Sequence, residues 1–341
     1  MQTSEPAIIE FDTEPAPGSS ESVLPGMRWV RLPLPFALDH VNCWLLDGER
    51  PGETTLIDTG IASDTTRAIW SSLFAKGFPD ELLVTHFHPD HLGLASWFVD
   101  QGATLYGHPR ELALAASIWA VDDATSGERY ARWYRDNGLD EEVCAVAASR
   151  GNGFRRIVSE PPELAPSGCL SAGDQWRCGE RTFDVLEGRG HAPDMLMLHD
   201  AANGVLIVAD QVLPGITPNV SIMPGTHDPD PLGSFLATLD ELSGLPETTL
   251  VLPSHGRPFR GLHARLEQLR QHHETRLEQV RVACREPMTA ADLFPLLFRR
   301  KLDAQQLSFA LGESLSHLSW LASRGEITAI CTAGRYRYVQ G

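Results

Sequence analysis

The chain has 341 residues and a formal net charge of −17, from 28 basic and 45 acidic side chains. A hydrophobic fraction of 42% and a charged fraction of 21% indicate a folded chain, long enough for one large domain or two ordinary ones. Such an acidic balance argues against a general nucleic-acid binder, because nonspecific affinity for nucleic acid comes from neutralising phosphates.

The beginning of the chain is rich in acidic residues, Pro, Ser and Gly, and it lacks the basic and apolar parts of a secretory signal. We predict a flexible segment over residues 1–22. No apolar run reaches the roughly 20 residues of a membrane span, so we expect no membrane interaction. The six cysteines are scattered without a CxxC pair, which favours free thiols and a cytoplasmic location.

From residue 23 onward, strand and helix patterns alternate, which predicts an α/β layer fold. The strand-type segments are 27–35, 41–46, 54–57, 81–85, 104–106, 175–178, 182–186, 195–199, 205–209 and 249–252. The helix-type segments are 63–76, 92–101, 232–242 and 262–284. Residues 108–165 read as a helical insert that carries Trp119, Tyr130, Trp133 and Tyr134. Two interpretations stay open for these aromatic residues: ordinary core or dimer packing, or a lid that gives an apolar pocket.

Residues 262–341 predict a linking helix followed by two helices and a hairpin, the outline of a winged-helix-like module. Thr289 and Asp292 have the spacing of a capping box at the start of this module. A small basic cluster, Arg299 to Lys301, precedes a helix over 307–323 that carries no Lys or Arg. We therefore expect a structural or dimerising role, as in a homodimer, and no nucleic-acid partner.

The 13 histidines are unevenly placed, and the segment Thr85-His86-Phe87-His88-Pro89-Asp90-His91 is the densest group. It follows an apolar strand and precedes a helix. Imidazole nitrogen suits zinc, iron and similar ions, and alternate residues of an extended turn face the same way. We therefore predict that His86 and His88 share one ion, with Asp90 and His91 directed toward a second position.

The HxHxDH segment resembles the signature of the metallo-β-lactamase superfamily. Four further stretches resemble motifs of that family and occur in the family's order: 56–60 (LIDTG), 190–193 (GHAP), 208–210 (VAD) and 252–256 (LPSHG). Together they cover about residues 27–260. The layout, with its C-terminal module, also resembles β-lactamase-like proteins with a winged helix and hydroxyacylglutathione hydrolases (glyoxalase II).

The resemblance implies an αββα sandwich over residues 23–261 with two divalent metal ions, zinc first and iron or manganese as alternatives. It implies that one ion is held by His86, His88 and His191 and the other by Asp90, His91 and His255. Asp210 would bridge the two ions, and Asp58 would support a ligating histidine. Two cations about 3.5–4 Å apart lower the pKa of a shared water to about 7, which gives a bridging hydroxide as nucleophile.

Three residues are candidate substrate contacts: His227 in a loop after Asp210, and Trp119 and Trp133 in the helical insert. We expect His108 to pack at a helix start. Asp194 lies where several relatives place another polar residue, which leaves the substrate class open.

The expected function is hydrolysis of a small-molecule ester or thioester, with acyl-glutathione, acyl-CoA or a lactone as candidates. Three alternatives remain on the same scaffold. They are an endoribonuclease, which the charge balance disfavours, a non-catalytic effector-binding protein, and redox chemistry at two irons, for which no flavodoxin-like domain follows.

Overall fold

The computed structural model describes residues 9–11, 13–225, 228–298, 302–303 and 306–341. The strands are β1 Ile9–Glu10, β2 Ser20–Leu24, β3 Met27–Pro33, β4 His40–Asp47, β5 Thr54–Ile57, β6 Glu81–Val84, β7 Thr104–Gly107, β8 Gln175–Cys178, β9 Arg181–Gly188, β10 Met195–Asp200, β11 Val205–Ala209, β12 Leu250–Pro253, β13 Phe259–Arg260, β14 Ile327–Thr332 and β15 Arg335–Gln340. The helices are α1 Asp64–Leu73, α2 Pro89–Leu92, α3 Ala95–Asp100, α4 Pro109–Ala120, α5 Asp123–Asp136, α6 Glu141–Arg150, α7 Pro231–Leu242, α8 Leu262–Ala283, α9 Phe294–Leu297 and α10 Gln306–Ser323.

Two large sheets form the centre of the fold. The first has the order β2-β3-β4-β5-β6-β7, and the second has the order β1-β13-β12-β11-β10-β9-β8. Neighbouring strands are antiparallel except β5–β6, β6–β7 and β11–β12, which are parallel. The parallel pairs place the ends of β5, β6, β11 and β12 at the edge where the sequence motifs follow.

Alternation of side chains along the strands builds the layers. In β3, Trp29 faces the core between the two sheets, whereas Val30 faces the helices on the outer side. In β11, Ile207 faces the core between the sheets and Leu206 faces α7 and α8. Both sheets are therefore covered by helices on their outer faces, and the predicted αββα sandwich is confirmed.

The helical insert consists of three helices, α4 to α6. Asp122 begins α5 by accepting a hydrogen bond from the Thr125 amide at 2.9 Å. α5 packs closely on α6 at Gly127, where an added Cβ would lie 2.1 Å from the carbonyl oxygen of Ala148. Tyr134 and Ala147 join the core cluster that also contains side chains of α7, α8 and α10.

The C-terminal part has the predicted order of helix, helix and hairpin. The capping box is present: the Thr289 amide donates to Asp292 at 2.8 Å, and the Asp292 amide donates to Thr289 Oγ1 at 3.2 Å. The likeness to a winged helix stays a prediction, and the basic cluster over 299–301 lies outside the described residues.

Parts of the segment 1–22, which the sequence predicts to be flexible, are paired in the two sheets. β1 pairs with β13, and β2 extends the first sheet at its edge by pairing with β3. Glu14 forms ion pairs with Arg31 and Arg257. Composition alone missed these contacts, because edge strands tolerate polar residues and the partners of Glu14 lie elsewhere in the sequence.

Candidate metal centre

Seven side chains from four separate segments meet at the edge of the sandwich. His86 and His88 follow β6, Asp90 and His91 lie on the short helix α2, and the other three are His191, Asp210 and His255. They form two groups of ligand atoms, His86, His88, His191 and Asp210 in one, and Asp90, His91 and His255 in the other. Within each group the ligand atoms lie within 4.8 Å of one another.

The first group is organised around His88. Its Nδ1 lies 2.9 Å from His86 Nε2 and 2.9 Å from His191 Nε2. His191 Nδ1 donates to the carbonyl oxygen of Asn219 at 2.8 Å, and this tautomer leaves a lone pair on Nε2. His86 Nδ1 lies 3.0 Å from Thr85 Oγ1, and a hydrogen bond there leaves its Nε2 lone pair facing the site.

The second group lies on the other side of Asp210. His255 Nε2 is 3.4 Å from Asp90 Oδ2, and His91 Nε2 is 3.7 Å from Asp90 Oδ1. His255 donates from Nδ1 to the carbonyl oxygen of His40 at 2.7 Å, so its Nε2 also offers a lone pair. Asp210 lies 3.3 to 3.6 Å from Nε2 of His191, His255 and His91, between the two groups.

The donor set fits divalent metal ions. His91 Nε2 and Asp210 Oδ1 are buried and have no hydrogen-bond partner among the described residues. Isolated buried polar atoms of this kind are costly, and a cation is a partner that both can share. Nitrogen lone pairs converging at 2.9 Å also repel one another unless a proton or a metal lies among them. Imidazole with carboxylate is the ligand set of zinc, iron and manganese proteins.

The pKa shifts agree with this chemistry. Burial lowers the pKa of His86 and His88 well below the ordinary value, so both rings stay neutral and can act as ligands. Burial opposes ionisation of Asp210, but the charges of His255 and His91 outweigh it and hold its pKa well below the usual range. Burial likewise works against protonation of His91, yet the neighbouring carboxylates, Asp90 foremost, raise its pKa. A cation in this position competes with that proton.

Asp58 supports the site from behind. Its Oδ2 accepts from His91 Nδ1 at 2.7 Å, and its two oxygens also accept from the amide and the hydroxyl of Thr85 at 2.8 Å. This fixes the His91 tautomer with Nε2 directed inward. Asp58 has a φ of +62°, a conformation that Asp adopts more readily than most residues. Asp58 is therefore a positioning residue.

Glycines bring the first motif against the histidine segment. The Thr59 amide donates to the carbonyl oxygen of His91 at 2.8 Å. At Gly93, an added Cβ would lie 2.5 Å from the carbonyl oxygen of Gly60. The predicted helix over 92–101 is accordingly interrupted here, and α2 and α3 are separate.

Sequence reasoning missed Glu111. This carboxylate is fully buried on α4, where it accepts from the Phe87 amide at 3.0 Å and from the Asp194 amide at 2.6 Å. It thus joins the segment that carries His86 and His88 to the segment that carries His191. Burial raises the pKa of Glu111 to about 7. The sequence offered one signal of Glu111, which is a carboxylate on the same face of the helix as the buried residues Leu112 and Ala115.

The structure does not bring the two candidate tryptophans to the site. Trp119 donates to the carbonyl oxygen of Val158 at 3.3 Å and lies under the Arg155 guanidinium, 4.6 Å from ring centroid to Cζ. Trp133 stacks on Tyr134 with ring centroids 5.4 Å apart. Neither is among the described residues that line the cavity beside the site. His227, the third substrate candidate, lies outside the described residues.

Two other polar residues have structural partners. The Asp194 carboxylate pairs with Arg110 at 2.7 Å and with Arg189 at 3.7 Å, and it belongs to neither group of candidate ligands. His108 begins α4 and accepts from the Arg110 amide at 3.3 Å, which is the predicted helix-start packing.

A cavity of 330 Å³ opens beside His88 and His191. Its wall combines the histidine segment, the helical insert, the loop before α7 and the start of α10. Residues that represent these parts are Phe87, Tyr130, Val146, Met223 and Phe309. A ligand in this cavity lies next to the proposed metal ligands and contacts both the αββα sandwich and the C-terminal part of the chain.

The comparisons with known proteins agree with this architecture. Residues 37–255 match the metallo-β-lactamase superfamily. The chain belongs to this superfamily. Residues 277–341 match a second description, the metallo-β-lactamase-like C-terminal domain.

Three relatives illustrate the range of the superfamily. A β-lactamase domain protein from Burkholderia ambifaria has a crystal structure that is 39% identical, with a TM-score of 0.88 and 98% of each chain covered. The probable metallo-hydrolase YqjP of Bacillus subtilis is 26% identical over 88% of this chain and 93% of its own. A linear primary-alkylsulfatase of Pseudomonas sp. is 23% identical over 65% of this chain and 43% of its own.

Within the described ranges, no helix is both long and apolar enough to cross a membrane. All six cysteines are unpaired, and four of them are buried.

Proposed function

We propose that the protein is a dinuclear metal-dependent hydrolase that cleaves a small-molecule ester or thioester. The observation that carries the proposal is the set of seven ligands, with the Asp210 carboxylate 3.3 to 3.6 Å from histidines of both groups. Each group has three further protein ligands, a set suited to one ion each. Zinc is the proposed metal because neutral imidazole and carboxylate suit it, with iron and manganese as alternatives.

Bound metal ions in such a site supply an activated water nucleophile and a Lewis acid for the carbonyl oxygen. The chain's own residues do the rest. Asp90, whose side chain is 19% exposed, and Asp210 orient the attacking water by accepting its hydrogen bonds. Asp58 and the carbonyls of Asn219 and His40 hold His91, His191 and His255 in the required tautomers. The cavity beside His88 holds the organic part of the substrate. Addition of water to the carbonyl and loss of the thiol or alcohol yields a carboxylic acid.

The test combines metal analysis with an activity panel. Mass spectrometry of the purified full chain is expected to give two divalent ions per chain. The loaded enzyme is expected to hydrolyse thioesters or lactones, and Asp210→Asn is expected to lower kcat by at least about 100-fold. Asp240→Asn is the matched control, because Asp240 is exposed on α7 and its carboxylate pairs with Arg270, away from the seven candidate ligands in the sequence. Fewer than two ions with full activity would contradict the dinuclear proposal.

The same panel includes single-stranded RNA. RNA cleavage that is lost in His86→Ala, without thioester or lactone hydrolysis, would overturn the proposal in favour of a nuclease. No bound ion and no hydrolysis of any substrate would favour an effector-binding role.

A second candidate is hydrolysis of an alkyl sulfate ester, which the similarity to the Pseudomonas alkylsulfatase favours. Octyl sulfate in the same panel separates this activity from carboxylic ester hydrolysis, because its product is inorganic sulfate. We place the activity in the cytoplasm, a proposal supported by the unpaired cysteines.

A further inference from the structure

The cavity beside His88 and His191 has a largely apolar wall away from the histidines. α5 and α6 contribute Tyr130 and Val146, and the start of α10 contributes Phe309. Val146 and Phe309 are 43% and 47% exposed, so their apolar surface is in contact with water when the cavity is empty. A ligand that covers them removes their apolar surface from water, so the wall favours an apolar group.

The position of Phe309 is fixed by the contact between α10 and the loop before α7. The Ile222 amide donates to the carbonyl oxygen of Gly312 at 3.1 Å, and Ser221 Oγ donates to the carbonyl oxygen of Phe309 at 3.4 Å. An added Cβ at Gly312 would lie 2.7 Å from Ser221 Cβ, so the two segments approach closely. The C-terminal part therefore forms a wall of the cavity that these contacts hold in place.

The same cavity has a cation at its rim. Arg129 is exposed on α5, and its Nη1 lies 3.6 Å from the position that a Cβ would take at Gly225. Arg129 forms no ion pair within the described parts of the chain. Arg132, three residues later on the same helix, differs because it pairs with Glu128 at 4.0 Å.

The wall also contains Asp228, and its carboxylate has partners of its own. It accepts from the Asp230 amide at 2.9 Å and from Ser234 Oγ at 2.8 Å, at the start of α7. Among the described residues, no carboxylate therefore pairs with Arg129, which leaves it to bind an anion in a chain whose net charge is −17.

We propose that the substrate is an amphiphilic thioester, with an apolar acyl chain against Tyr130, Val146 and Phe309 and an anionic leaving group paired with Arg129. This inference rests on the proposed hydrolase function and names the substrate class of that site. Each methylene that enters the cavity strengthens binding about threefold to fourfold. A guanidinium–phosphate or guanidinium–carboxylate pair at an exposed position adds up to about fivefold.

The test measures binding without hydrolysis, by titration calorimetry on the zinc-loaded full chain. The probes are S-butyl-, S-hexyl- and S-octyl-coenzyme A, which are thioethers, and the neutral S-octyl-N-acetylcysteamine. Affinity is expected to rise with chain length. Arg129→Gln is expected to weaken binding of S-octyl-coenzyme A by up to about fivefold and to change binding of the neutral probe by less than about twofold. Phe309→Ala is expected to flatten the dependence on chain length.

Arg132→Gln is the matched control and is expected to leave all affinities unchanged. Equal losses in Arg129→Gln and Arg132→Gln, or an affinity independent of chain length, would overturn the inference. Hydrolysis of octanoyl thioesters is measured separately. Binding as expected without hydrolysis of any thioester counts against the proposed function, whereas hydrolysis without discrimination by Arg129 counts against the substrate class alone.

Discussion

Glu111→Gln tests how the segments carrying the histidine ligands are held together. In the native chain each carboxylate oxygen accepts one amide hydrogen, from Phe87 at 3.0 Å and from Asp194 at 2.6 Å. Glutamine keeps one acceptor oxygen and turns an NH₂ group toward the other amide. A hydrogen bond to a charged group contributes about 1.5–3 kcal/mol, and an unsatisfied buried donor costs about 1–3 kcal/mol.

We therefore expect Glu111→Gln to lower the free energy of unfolding by about 2–3 kcal/mol. Zinc affinity is expected to fall about 10- to 100-fold, because Phe87 lies between His86 and His88 and the supports of metal ligands have effects of this size. Urea unfolding measures the first quantity, and competition with a chromophoric chelator measures the second. Glu128→Gln, at an exposed position on α5, is the control. A stability loss with unchanged zinc affinity would refute the reasoning that Glu111 positions the ligands.

Three further predictions concern other parts of the chain. Asp58→Asn keeps the φ of +62° accessible but places an NH₂ group against His91 Nδ1. Zinc affinity, measured by chelator competition, is therefore expected to fall about 10- to 100-fold. An unchanged zinc affinity would contradict the argument that Asp58 fixes the His91 tautomer. Gly127→Ala is expected to lower the free energy of unfolding in urea by about 1–3 kcal/mol, because the added Cβ would meet the Ala148 carbonyl. Gly153→Ala is the control, because a Cβ added at Gly153 has no atom within 4 Å. Burial lowers the pKa of His317 to about 4, below its unfolded value of about 6.5, so its contribution to stability is present above pH 6.5 and is lost as the pH falls toward 4. His317→Gln is expected to lose less stability over that interval than the native chain, and parallel curves of unfolding free energy against pH would contradict this.

The clustering of the seven candidate ligands could be predicted because each lies in a short motif at the end of a recognisable strand. His86 and His88 directly follow β6, and Asp210 follows β11. A local pattern therefore indicated both which residues are candidate ligands and where in the fold they lie. The alternation of strands and helices gave the layers in the same local way. These features depend on residues that are neighbours in the sequence.

The supports of the site could not be predicted in that way. Glu111 lies on a helix 24 residues after Phe87 and acts through backbone amides, which leave no mark on residue type. The carbonyl oxygens of Asn219 and His40 hold His191 and His255 through contacts that only the tertiary fold creates.

The tryptophans show the complementary limit. The sequence left core packing and a lid open for the aromatic residues of the insert, and it named Trp119 and Trp133 as candidate substrate contacts. Trp119 packs beside Arg155 and Val158, and the cavity wall is formed by Tyr130 and Tyr134 instead. Which side of a helix is apolar follows from the helix's own sequence. Which element packs against that side depends on the tertiary fold of the whole chain.

The loop before α7 contacts both a candidate metal ligand and the C-terminal part of the chain. At Asn219 it holds the ring of His191, and three residues later, at Ile222, it bonds to Gly312 of α10. Because linkage between two such contacts is reciprocal, any factor by which an ion tightens the docking of α10 is the factor by which docking tightens the ion. A substitution on the far face of the C-terminal part that alters this docking is therefore expected to change the affinity of the site for a metal ion, although no candidate ligand is replaced.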